Sequence, residues 1–152
     1  MDRCKIAADL FVSGCNCAQA VFAAFADVMD MEKDTALKLS SSFGGGMGRM
    51  REVCGAVSGM FMVAGYLYGT TDKDGEKEKA EHYALIQEMA RRFKEKNNTI
   101  ICRELLGNLK AASSTSPTPD KRCPEYYTTR PCLKFVLDAV EIMEEIIKER
   151  QN

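Results

Sequence analysis

Apolar residues recur at helical spacing along most of the chain, and no stretch reads convincingly as a strand. Residues 3–12 predict a short first helix. In 16–29, NCAQAVFAAFADVM, residues Ala18, Val21, Phe22, Phe25 and Met29 recur at that spacing, and Asn16 is placed to cap the helix. A third, shorter helix is predicted over 33–42, with Asp34 near its start. Residues 53–68, VCGAVSGMFMVAGYLY, are apolar almost all round, which predicts a buried central helix stopped by Gly69. Its Gly55, Ala56, Gly59, Ala64 and Gly65 weaken helix propensity but would let neighbouring helices approach.

The polar run TTDKDGEKEK, residues 70–79, predicts a solvated turn leading into a helix over 76–96. Ala80, Tyr83, Ile86, Ala90 and Phe93 form its stripe. A short helix at 100–106 ends at Gly107. Residues 111–131, AASSTSPTPDKRCPEYYTTRP, are rich in Ser, Thr and Pro and predict a long loop or lid. Pro131 opens a last helix to about residue 149, with Phe135, Ala139, Ile142, Met143 and Ile146 facing inward. No internal repeat is present. The expected fold is all-α: a single-domain helical bundle over 1–152, with about five to seven helices.

Composition narrows the class. Of 152 residues, 45% are apolar and 28% charged, enough to bury one core. A net charge of −1 gives no general attraction for nucleic acid or an anionic membrane. Residues 1–14 lack the apolar core of a secretion signal, and the longest apolar run, Val57 to Tyr68, falls short of the roughly 20 residues that span a bilayer. A cytoplasmic protein without membrane insertion is expected. Its apolar central helix would be covered within one chain or across a homodimer.

Seven cysteines carry the candidate chemistry, at 4, 15, 17, 54, 102, 123 and 132. In a reducing compartment cysteines serve as metal ligands, redox groups or core residues rather than structural disulfides. No Cys-x-x-Cys pair is present, so neither a zinc knuckle nor a thioredoxin site is spelled out locally. Cys17, Cys54, Cys102 and Cys132 share a position type: each falls in the first turn of a predicted helix and faces its apolar stripe. Unpaired N–H groups and the helix dipole there favour a thiolate, while apolar burial opposes it. A metal, a cluster or a disulfide would resolve that conflict. Taken singly, each cysteine reads as a small core residue sooner than as a ligand.

The segment GGGMGRMREVCGAVSG, residues 44–59, sharpens the reading. It lacks the spacing and the preceding strand of a phosphate-binding glycine loop. Arg49 and Arg51 are placed to favour a thiolate at Cys54, so the segment reads as a thiol mount. His82, the lone histidine, offers at most a nucleophile pair with a cysteine. Met47, Met50, Met60 and Met62 could add thioethers for Cu(I) but suit core packing better. Asp72 and Asp74 lack the remaining ligands of a calcium loop. Tyr126 and Tyr127 would pack the long loop onto the bundle.

Cys54-Gly55-Ala56-Val57-Ser58-Gly59 reads as Cys-Gly-Ala-x-x-Gly, with Cys17 before it and Cys102 and Cys132 after it. In this order the chain resembles the C_GCAxxG_C_C family of small bacterial redox-active proteins. The resemblance implies a redox role resting on Cys17, Cys54, Cys102 and Cys132, with no substrate or redox partner named. More loosely, the chain is similar to the non-haem domain of split-Soret cytochromes, which is associated with an iron–sulfur cluster. Cys4, Cys15 and Cys123 lie outside the pattern, although Cys15 is close enough to Cys17 to compete with it. Three readings stand. In one, the four cysteines hold an iron–sulfur cluster, zinc or another metal for electron transfer. In another, they form a metal-free thiol–disulfide site with Cys54 as nucleophile. In the last, they are core residues of a non-catalytic helical interaction module.

Overall fold

The computed structural model describes residues 1–151 and contains eight α-helices. These are α1 (Arg3–Val12), α2 (Cys17–Ala23), α3 (Lys33–Ser40), α4 (Gly55–Tyr68), α5 (Glu76–Asn97), α6 (Cys102–Leu106), α7 (Pro124–Thr129) and α8 (Cys132–Gln151). The fold is all-α, as the periodicity predicts. One more helix is present than expected because α7 forms inside the Ser/Thr/Pro segment. Among the described residues the strand-like pairing is limited to one isolated antiparallel bridge, Val53 to Ile101.

Local chemistry sets the boundaries. The Asp2 side chain accepts from the Lys5 N–H and starts α1 where the pattern places it. At α2, Asn16 and Gln19 exchange side-chain and backbone hydrogen bonds, each 2.9 Å long. The helix is shorter than the expected 16–29. After Ala23 the chain tightens into three-residue turns, such as Phe25 N–H to Phe22 O, and Asp30 takes a left-handed conformation. Phe25 and Met29 still bury fully in this irregular stretch. Their spacing therefore reports burial correctly and overstates the helix.

Helix α4 runs through the centre, against α2, α5 and α8, and α1 packs on α2 and α8. Its first half is buried from Gly55 to Met60, whereas Tyr66 near its end is 58% exposed. At Gly59 a Cβ would lie 3.0 Å from both Ala18 O and Val21 Cβ, so the missing side chain lets α2 and α4 touch. Gly65 has open space instead and serves no such contact. Phe11, Phe25, Phe93, Met60, Met89 and Met143 fill the core. No helix among the described residues is long and apolar enough to cross a membrane.

Candidate functional site

Residues 44–51 form an unusual turn. Gly45, Gly46, Met47, Gly48 and Arg49 all have positive φ, between 60° and 71°, and Arg51 follows at 61°. Five consecutive residues in this region make a left-handed turn, closed by Arg49 N–H to Gly44 O and Arg51 N–H to Gly45 O. Side chains disfavour that hand by about 1–2 kcal/mol per residue, so glycine at three of the five positions removes most of the cost. At Gly46 a Cβ would also sit 2.6 Å from Cys102 Cβ and 2.7 Å from Glu52 N. At Gly44 it would fall within the Asn16 side chain, 2.3 Å from Cγ. The glycines thus press this turn against the starts of α2 and α6.

Short backbone links then gather the cysteines. Cys54 N–H donates to Ile100 O at 2.8 Å and Cys102 N–H to Glu52 O at 2.6 Å, on either side of the Val53–Ile101 bridge. These bonds hold the starts of α4 and α6 side by side. Gly55 lets α4 meet α2, since a Cβ there would lie 3.2 Å from Cys17 Cβ. Cys17, Cys102 and Cys132 are the first residues of α2, α6 and α8, and Cys54 is the residue capping α4. All four line one cavity of about 310 Å³. Cys54 and Cys102 are buried, and Cys17 and Cys132 are partly so. Cys4, Cys15 and Cys123 do not line it, and neither do His82 or any methionine.

Arginines supply most of the charge in the wall. Arg49, Arg51, Arg122 and Arg130 line the cavity with a single carboxylate, Asp120. Arg49 Nη1 and Arg130 Nη2 reach Asp120 Oδ2 at 2.9 and 2.7 Å. Burial alone would raise the Asp120 carboxyl, but the Arg49 and Arg130 guanidiniums hold it below its ordinary range. Arg51, only 3% exposed, donates from Nε to Ser114 O at 3.0 Å, and its Nη1 lies 3.9 Å from Cys102 Sγ. Its Nη2 is buried with no hydrogen-bond partner. Arg122 donates to Phe11 O and Cys15 O and stacks over Tyr126 at 4.6 Å.

The four thiols do not titrate alike. Cys17 is pushed well up, first because its thiol donates to Cys132 and then by burial. Cys132 is drawn below its ordinary value by that same hydrogen bond; burial opposes this, and Arg130, Arg122 and Arg51 assist it. Burial pushes Cys54 up to about 12, although the N–H groups of Val57 and Ala56 pull the other way. Burial also raises Cys102, against the hydrogen bond from Arg51. Of the two opposed effects expected at these helix starts, burial is the larger at Cys54 and Cys102. Arg51 turns to Cys102 and Arg49 to the Ser/Thr/Pro segment, rather than to Cys54. Of the four thiols, Cys132 is the one drawn toward the thiolate.

Asp120, Arg122, Tyr126 and Arg130 are site residues that sequence reasoning passed over. The available signal was a cluster of charged and aromatic residues inside an otherwise small and polar segment. Among the described residues, no group of three or more His, Cys, Asp or Glu side chains is gathered as the ligands of a metal ion would be.

The fold is thus a helical bundle that brings four thiols from four helix starts to one arginine-lined cavity. The chain belongs to the C_GCAxxG_C_C family: the family model described as "Putative redox-active protein (C_GCAxxG_C_C)" matches residues 15–146. No curated protein and no solved structure matches the chain.

Proposed function

We propose that this protein is a small electron carrier in which Cys17, Cys54, Cys102 and Cys132 hold an iron–sulfur cluster. The observation that carries this reading is the shared cavity: four thiols from distant parts of the chain line one space walled by guanidiniums. A disulfide needs two thiols, and the two further buried cysteines suit a four-thiolate cofactor. The donor set fits. Sulfur ligands suit iron–sulfur clusters and zinc, and the bare Nη2 of Arg51 suits an anion. Such a cluster would supply one-electron transfer. The chain's own residues supply thiolate ligands, positive charge and shielding from water. Ligation requires Cys54 and Cys17 to give up protons that burial and the Cys17–Cys132 hydrogen bond hold in place, so loading is favoured at higher pH.

The test is anaerobic purification with iron, acid-labile sulfide and absorption measured on one sample. Stoichiometric iron and sulfide, lost in single Cys→Ala variants at 17, 54, 102 and 132, establishes the reading. Zinc without iron makes the site a plain thiolate metal site.

A second reading rests on the Cys17–Cys132 contact. The Cys132 thiolate attacks a substrate disulfide, forms a mixed disulfide and expels one thiolate. Cys17, after losing its proton, displaces the second thiolate and closes a Cys17–Cys132 disulfide. Two electrons pass from the pair to the substrate. A metal-free protein that consumes one disulfide per chain, and loses this in Cys132→Ala, supports it.

A further inference from the structure

Arg51 holds the one buried nitrogen in the cavity wall that has no partner. Its Nε is committed to Ser114 O, and its Nη1 faces Cys102 Sγ. Its nearest counter-charge, Asp120 Oδ2, lies 3.9 Å from Nη2 and is already held by Arg49 and Arg130. A guanidinium that is 3% exposed cannot turn to solvent to satisfy the remaining donor. The wall is also unbalanced in charge. Four arginines and one aspartate leave an excess of three positive charges, 4 − 1, before the thiols are considered.

Resting on the cluster reading, we infer that Arg51 is the hydrogen-bond donor to the cofactor's sulfur and that the arginine wall favours the reduced state. A thiolate-ligated cluster is an anion that gains one further negative charge on reduction. Positive charge in a shielded cavity stabilises the more negative form, and hydrogen bonds to sulfur set cluster potentials. Such a cluster, held by Cys17, Cys54, Cys102 and Cys132, would take one electron from an external reductant. No bond forms or breaks, and no proton is required. Arg51 acts here by donating directly to sulfur and by compensating charge. The protein it implies is an electron acceptor poised at a higher potential than the same ligands would give without the wall.

The experiment compares wild type, Arg51→Met, Arg51→Lys and Asp120→Asn, reconstituted anaerobically and titrated with dithionite under electron paramagnetic resonance. Iron and sulfide per chain are counted for each. At a fixed potential Arg51→Met lowers the reduced-to-oxidised ratio about tenfold, about 59 mV for one electron. Arg51→Lys shifts it less, in the same direction. Asp120→Asn removes the wall's single carboxylate and shifts the ratio upward. Loss of packing alone would not reverse sign between Arg51→Met and Asp120→Asn. If Arg51→Met fails to retain iron, the lysine variant and Asp120→Asn still decide the matter. Loaded variants whose midpoints equal wild type, or move in one direction only, overturn the inference while leaving the cluster reading standing. Wild type without iron and sulfide overturns both, before any variant is compared.

Discussion

Cys132 and Cys54 occupy the same kind of helix start and titrate in opposite directions. The difference lies in what each sulfur meets. Cys132 receives a hydrogen bond from Cys17 and faces three arginines, whereas burial dominates at Cys54. In metal-free protein at neutral pH, iodoacetamide should therefore label Cys132 well before Cys54, as peptide mass spectrometry would read. Cys17→Ala should slow the labelling of Cys132 by removing the donor. The sign of the pH effect follows from the raised thiol. Folded Cys54 keeps its proton up to about 12, against an ordinary 9.0. Its contribution to stability is complete below pH 9 and falls away as pH rises toward 12. Cys54→Ala should flatten the decline of the melting temperature across that window. At Gly46 the requirement is steric as well as conformational. Gly46→Ala should cost about 1–3 kcal/mol, a drop of about 2–4 °C per kcal/mol in a thermal melt for a chain of this size.

The element that closes the cavity is the segment from Ser114 through α7. Arg49 and Arg51 bind its carbonyls at Ser116 and Ser114. Arg122 ties its far side to the end of α1 through Phe11 O and Cys15 O, over the rings of Phe11 and Tyr126. Cation–π contacts of this kind contribute about 0.5–2 kcal/mol, and charged hydrogen bonds about 1.5–3 kcal/mol. Arg122→Ala should release the segment without unfolding the bundle. Limited proteolysis within residues 114–123 should then quicken several-fold while the far-ultraviolet helix signal stays near wild type. Helices with a long apolar stripe, α5 and α8, were legible within one or two residues. The turns after Ala23 and the whole of α7 were not, for opposite reasons. The first carries helical spacing over hydrogen bonds that mostly span three residues, such as Ala26 N–H to Ala23 O. The second is six residues held by aromatic packing, with Tyr127 edge-on to Phe11 at 5.9 Å.

The complete site belongs to the whole molecule. Its four thiols come from α2, α6, α8 and the cap of α4, so no smaller part of the chain assembles it. Cysteine order and helix-start placement in the sequence identified four sulfurs, but the arginine wall came from residues whose meeting depends on the left-handed turn and the long segment. Neither has a period that a sequence pattern reveals. If a cofactor bridges all four helices, removing iron with a chelator should lower the melting temperature of the entire bundle, as calorimetry would register. A remote core change should act in reverse. Met143→Ala, at a fully buried position on α8, should cost about 2–5 kcal/mol and, if such a cofactor is bound, weaken its retention.

The turn at residues 45–49 has one more consequence. Met47 and Arg49 adopt backbone angles that are natural to mirror-image amino acids. A chain made by chemical synthesis with D-methionine at 47 or D-arginine at 49 should thus melt above the ordinary protein, although the same exchange inside α4 would break it. This short stretch is a place where the molecule would accept the opposite chirality as an improvement.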